Sequence, residues 1–111
     1  MTSKSGNVQV GIPQDNDQIR LLKEALISAS SKDDRIKESY LFLKKDGSDI
    51  AFLVVFDLDL AITDEERKEI FGEANKEIAP VLGGRIKVEF AMKAPHFIKL
   101  CNAYEPVYKA E

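Results

Sequence analysis

Cysteine is almost missing: Cys101 is the single thiol among 111 residues. No disulfide can close within the chain, and no metal site can rest on cysteines. Histidine is as scarce, with His96 alone, so a histidine-based catalytic relay would need partners that the sequence does not name. There is no basic excess either. Sixteen Lys and Arg against 19 Asp and Glu leave a formal charge of −3, without the basic surplus usual in a nucleic-acid binder. No apolar run approaches the roughly 18 residues needed to span a bilayer. Met1-Thr-Ser-Lys-Ser-Gly6 lacks the apolar core of a secretory signal. These shortages lead to the expectation of a cytoplasmic protein without cofactor, metal, nucleic-acid partner or membrane.

The length suits one domain. Residues 1–6 are expected to form a disordered N-terminal tail and residues 7–109 a single α+β unit. Val8, Val10 and Ile12 alternate with Gln9 and Gly11, the period of a one-sided strand that Pro13 stops. Asp15-Asn16-Asp17 offers helix caps, and Ile19, Leu22, Leu26 and Ala29 recur at helical spacing. Residues 36–43 and 50–58 are β-rich runs around Asp46-Gly47, a hairpin signature. Thr63 with Glu66 forms a capping box for a second helix, whose apolar face is Ile70, Phe71, Ala74 and Ile78 and whose end is set by Pro80 and Gly83-Gly84. Ile86, Val88, Phe90 and Met92 alternate with Lys87, Glu89, Ala91 and Lys93 as a strand, and Phe97 to Tyr104 reads as a short helix.

The order β-α-β-β-α-β predicts a two-layer sandwich of the ferredoxin-like, split βαβ kind. Its sheet is expected to be four-stranded and antiparallel, with the first and third strands central, two helices on one face, and a short C-terminal helix appended. Tyr40 and Phe42 are expected to face the two helices with Ile50, Phe52, Val54 and Phe56. Leu41, Leu43, Leu53 and Val55 would then crowd the other face, an apolar patch that soluble monomers rarely leave wet. Two covers are possible. The C-terminal segment can fold back with Phe97, Ile98, Leu100 and Tyr104, or a partner protein or second copy can dock there. Leu41, Leu43, Leu53, Val55, Phe97, Tyr104 and Tyr108 are the candidate interaction surface.

Chemistry is sparse. Cys101 and His96 are five residues apart on one short helix, poorly spaced to meet, and Cys101 reads as a buried small hydrophobe. Asp57-x-Asp59 opens like a calcium loop, but Ile62 stands at the glycine position and Lys68 at the bidentate glutamate position. Gly83-Gly84 lacks the lysine and flanking glycines of a phosphate cradle. The outward sheet positions carry no aromatic ring on which RNA bases could stack. No catalytic residue is assigned, and the chain is expected not to be an enzyme.

Three segments carry a family resemblance. Val8-Gln-Val-Gly-Ile-Pro13 before an amphipathic helix, Glu38-Ser-Tyr-Leu41, and Ala103-Tyr-Glu-Pro-Val-Tyr108 resemble the C-terminal domain of the SseB family, named for enhanced serine sensitivity in bacteria. The resemblance spans residues 7–109, with Val107 where the family has an aromatic. It implies a bacterial cytoplasmic protein of unestablished molecular activity, with no catalytic residues to carry over. The functional expectation is therefore a non-enzymatic protein-interaction or regulatory module, the alternative being a sensor of a small, amino-acid-like metabolite.

Overall fold

A computed structural model describes residues 8–83 and 86–110; the side chains of Val8, Pro95 and His96 lie outside the described set. The elements run β1 (Val8–Gly11), α1 (Asp17–Ser31), β2 (Glu38–Asp46), β3 (Asp49–Asp57), α2 (Asp64–Leu82), β4 (Lys87–Met92), α3 (Pro95–Asn102) and β5 (Tyr108–Lys109). Local chemistry sets most of the boundaries. Asn16 caps α1 by accepting a hydrogen bond from the Ile19 amide at 2.9 Å. At α2 the Thr63–Glu66 capping box is complete, with Glu66 N–H donating to Thr63 Oγ1 at 3.1 Å and Thr63 N–H donating to Glu66 Oε1 at 3.2 Å. The sequence predicts that Pro80 and Gly83-Gly84 end that helix. Instead Pro80 lies within it, and the helix continues to Leu82 and closes at Gly83, whose φ of 64° is open to glycine at little cost, Gly84 lying outside the described residues. The β2–β3 loop is one residue later than the Asp-Gly reading. Asp46 pairs with Asp49, and Gly47 (φ 64°) and Ser48 make the turn.

The fold is α+β, but the sheet is mixed and its order differs from the expected one. The strands lie β1-β2-β3-β4, with β5 also on β2. β2 and β3 are therefore central, and β1 and β4 are edges. β1 pairs antiparallel with residues 43–46 of β2, and β5 pairs antiparallel with Glu38 and Ser39 farther along the same edge. β3 and β4 are parallel, because α2 carries the chain back to the end where β3 began, the geometry of a βαβ unit. Element order alone leaves this open, since pairing is a long-range choice.

Three layers result rather than two. On one face α1 and α2 pack together over Leu41, Phe52, Val54 and Phe56, with Leu22, Leu26, Ile70, Ala74 and Ile78 as the helical contribution to the core. On the other face α3 covers Tyr40, Phe42, Leu53 and Val55 through Cys101, Phe97 and Leu100. Large side chains removed from water in this way contribute roughly 1.5–3 kcal/mol each. The main core also closes through an aromatic trio. Phe56, Phe71 and Phe90 stack in pairs with centroids 5.6–6.1 Å apart.

Candidate functional site

The four aliphatic residues expected to form one patch are divided between the two faces. Leu41 packs beneath α1 and α2, with Leu43 partly buried beside it, whereas Leu53 and Val55 lie under α3. The reason is in the hairpin. A two-residue loop pairs odd positions of β2 with even positions of β3, so Leu41 sits opposite Val54 and Phe42 opposite Leu53. Partners across a ladder share a face, which places Tyr40 and Phe42, not Leu41 and Leu43, beside Leu53 and Val55. Aromatic rings do therefore stand on the second face, with Tyr40 and Phe42 stacked at 6.1 Å. They are 4% and 1% exposed, closed to any base. Phe97 joins that covered cluster, and Tyr104 meets Phe42 edge-on at 5.8 Å. Tyr108 belongs instead to the α1/α2 face, on β5 opposite Ser39. The C-terminal segment is the lid on this face, although Ile98, expected within it, points outward at 42% exposure.

The feature that sequence reasoning missed is at the carboxyl ends of β3 and β4. After Asp57 the chain turns toward α2 on one face; after Met92 it passes through Lys93 and Ala94 into α3 on the other. Neighbouring parallel strands whose continuations part to opposite faces leave a crevice between them, the place where open α/β sheets hold ligands. Here it is a cleft of about 520 Å³, bordered by Asp57, Asp59, Lys37, Lys93 and Asn102, with Leu60 and Ile98 at its mouth. Leu60 is 77% exposed.

Lys93 is held at this cleft by a polar network from β2. The Tyr40 hydroxyl donates to Glu38 Oε1 at 2.7 Å, and Lys93 Nζ donates to the same oxygen at 3.5 Å and to Tyr40 Oη at 3.4 Å. The Lys93 and Glu38 side chains are only 18% and 20% exposed. Burial and the Glu38 hydrogen bond push the Tyr40 phenol up to about 12. The hydrogen bond from Tyr40, with the Lys93 charge, holds the Glu38 carboxyl below its ordinary value. Desolvation works against the Lys93 ammonium, but Tyr40, Glu38 and Asp57 together outweigh it and raise its affinity for the proton. At neutral pH the network is a fixed cation beside a fixed carboxylate and a neutral phenol. With Glu38 and Asp57 beside it the Lys93 charge is already balanced, so the arrangement offers hydrogen-bond donors and acceptors to a polar ligand, and no poised base.

Cys101 lies in the covered cluster near these charges, and burial pushes its thiol up to about 11, so it is protonated and shielded at neutral pH. The His96 side chain lies outside the described residues. The acidic pair of the calcium-loop reading is used differently. Asp59 Oδ1 accepts the Ala61 amide at 2.9 Å, and Asp57 supports the Lys93 charge. Among the described residues no three or more His, Cys, Asp and Glu side chains converge as metal ligands, and no helix is long and apolar enough to cross a membrane. Compared with known proteins, the chain matches no protein-family model, no curated protein and no solved structure.

Proposed function

We propose that this domain is a non-enzymatic regulatory module that recognises a small polar metabolite in the cleft at the carboxyl ends of β3 and β4. The observation that carries the reading is the half-buried Lys93 at a topological switch point, fixed by Glu38 and Tyr40. Mixed charges at the rim, with Lys37 and Lys93 facing Asp57 and Asp59, suit a ligand of amino-acid-like size and polarity. The SseB-like segments agree with a bacterial cytoplasmic setting for such a sensor. A chemical-shift titration against a panel of polar metabolites is the test. A true ligand perturbs residues 57–60 and 93–102 and loses its effect in Lys93→Met. Absence of any such perturbation at millimolar ligand would end the proposal.

A second reading, a protein-interaction module, rests on a different place. Between Leu43, opposite β1, and Ser39, opposite β5, the edge of β2 carries no strand among the described residues. A cleft of about 500 Å³ lies over this gap, bordered by Ile12, Ile27 and Tyr104, which are 54%, 41% and 36% exposed. A partner using it is lost on Ile27→Asp and retained by Lys93→Met, whereas a partner indifferent to Ile27→Asp argues against the surface.

A further inference from the structure

We infer that the outer edge of β4 is a self-association edge, along which two copies of the chain pair antiparallel about a two-fold axis through Val88. β4 stands last in the strand order, and among the described residues no strand pairs with its far side. It runs six residues in unbroken register with β3. Proline and bulges, which blunt edge strands against pairing, are both missing from it. The direction of its outward groups follows from one bond. The Lys93 amide donates to the Phe56 carbonyl at 2.8 Å, toward β3. Because backbone groups alternate along a strand, the amides and carbonyls of Val88 and Phe90 point away from β3, ready to bond another strand.

Charge selects the register. A two-fold between copies can centre on Val88, Glu89, Phe90 or Ala91. Centring on Ala91 sets Glu89 against Lys93, whose Nζ is already held by Glu38 and Tyr40 of its own chain. Centring on Glu89 sets that carboxylate against itself, and centring on Phe90 sets Lys87 against Lys93. Centring on Val88 sets Lys87 of each copy against Glu89 of the other, twice, so the edge complements itself as a closed two-fold contact requires. Glu89 is already aimed by Lys44 on β2, whose Nζ lies 2.9 Å from Glu89 Oε1. In the pair it would stand between Lys44 of its own chain and Lys87 of the other copy. On the opposite side of the ladder Val88 meets Val88, flanked by the half-buried Ile86 and Phe90 of both copies.

Light scattering coupled to gel filtration, across a concentration series of the full chain, tests this. The expected result is a mass rising to twice that of one chain. Lys87→Glu alone and Glu89→Lys alone each weaken the pair by about tenfold, through two like-charge contacts. The double variant Lys87→Glu/Glu89→Lys associates more tightly than either single variant, short of the original because Lys44 then faces a like charge at position 89. Val88→Pro, which removes an outward amide and leaves the bonds to β3 in place, gives a folded monomer, with far-UV circular dichroism reporting the fold. A chain that stays monomeric throughout, a dimer indifferent to both reversals, or a double variant no tighter than the single ones would each overturn the inference.

Discussion

Ser30 and Ser39 meet through their hydroxyls at 2.6 Å, and both residues are fully buried. This contact ties the last turn of α1 to the first residues of β2 inside an otherwise apolar layer. Each hydroxyl satisfies the other, so removing one leaves an unpaired buried group, which costs about 1–3 kcal/mol. Ser39→Ala is expected to lower unfolding stability by that amount in urea titrations. Ser30→Ala/Ser39→Ala is expected to fall short of the sum of the single losses, because neither hydroxyl is then stranded.

Two glycines are expected to respond oppositely to an added methyl group. Gly72 lies mid-helix in α2 at negative φ, and a Cβ there meets nothing within 4 Å. Gly72→Ala should stabilise the chain by about 0.5–1 kcal/mol. Gly47 has equal space, but its φ is 64°, so Gly47→Ala should cost about 1 kcal/mol through the backbone alone. Thermal unfolding of the two variants checks both signs.

Tyr40 provides a pH signature. Its phenol moves from an ordinary 10.0 to about 12 in the fold. Below the unfolded value both states keep the proton, and the contribution to stability is complete. Above it the unfolded chain ionises first, so stability declines as pH rises toward about 12 and is lost beyond. Alkaline titration of phenolate absorbance should show a late step, and Tyr40→Phe should remove that step together with the matching decline in stability. A late step that survives in Tyr40→Phe would refute the assignment.

Phe97 anchors α3 on the second sheet face. Phe97→Ala is expected to cost about 2 kcal/mol, below the range for a wholly enclosed ring because Phe97 is only half-buried. The same change should let α3 open and expose Cys101. Thiol reagents, slow on the native chain where the thiol is buried and pushed up to about 11, should then react faster at unchanged pH. Equal reaction rates would show that Phe97 does not hold the lid.

The parts of this fold legible in the sequence are those decided by neighbours along the chain. The Thr63–Glu66 box, the period of Ile19, Leu22 and Leu26, and the hairpin around Gly47 each state their structure within a few residues. The facing of β2 was ambiguous because Tyr40, Leu41, Phe42 and Leu43 are all apolar, the mark of a strand covered on both sides. The loop length resolves that ambiguity, since a two-residue turn couples the facing of β2 to that of β3. The strand order was not legible. β1 docks on β2, and β4 lies parallel to β3, through contacts between residues far apart in the chain. The cleft at Lys93 stayed hidden for the same reason, because Glu38, Asp57 and Lys93 gather only once the parallel pair exists.

The last segment of the chain leaves the sheet at one border strand and rejoins it at the other side. From Met92 on β4 it crosses beneath β3 and β2 as α3, and it ends as β5 bonded to Ser39 and Glu38. It therefore works as a strap buckled at both ends. A cut between Lys93 and Phe97 would unclasp it, laying bare Tyr40, Phe42, Leu53 and Val55 in a single stroke and turning a covered sheet face into an adhesive one.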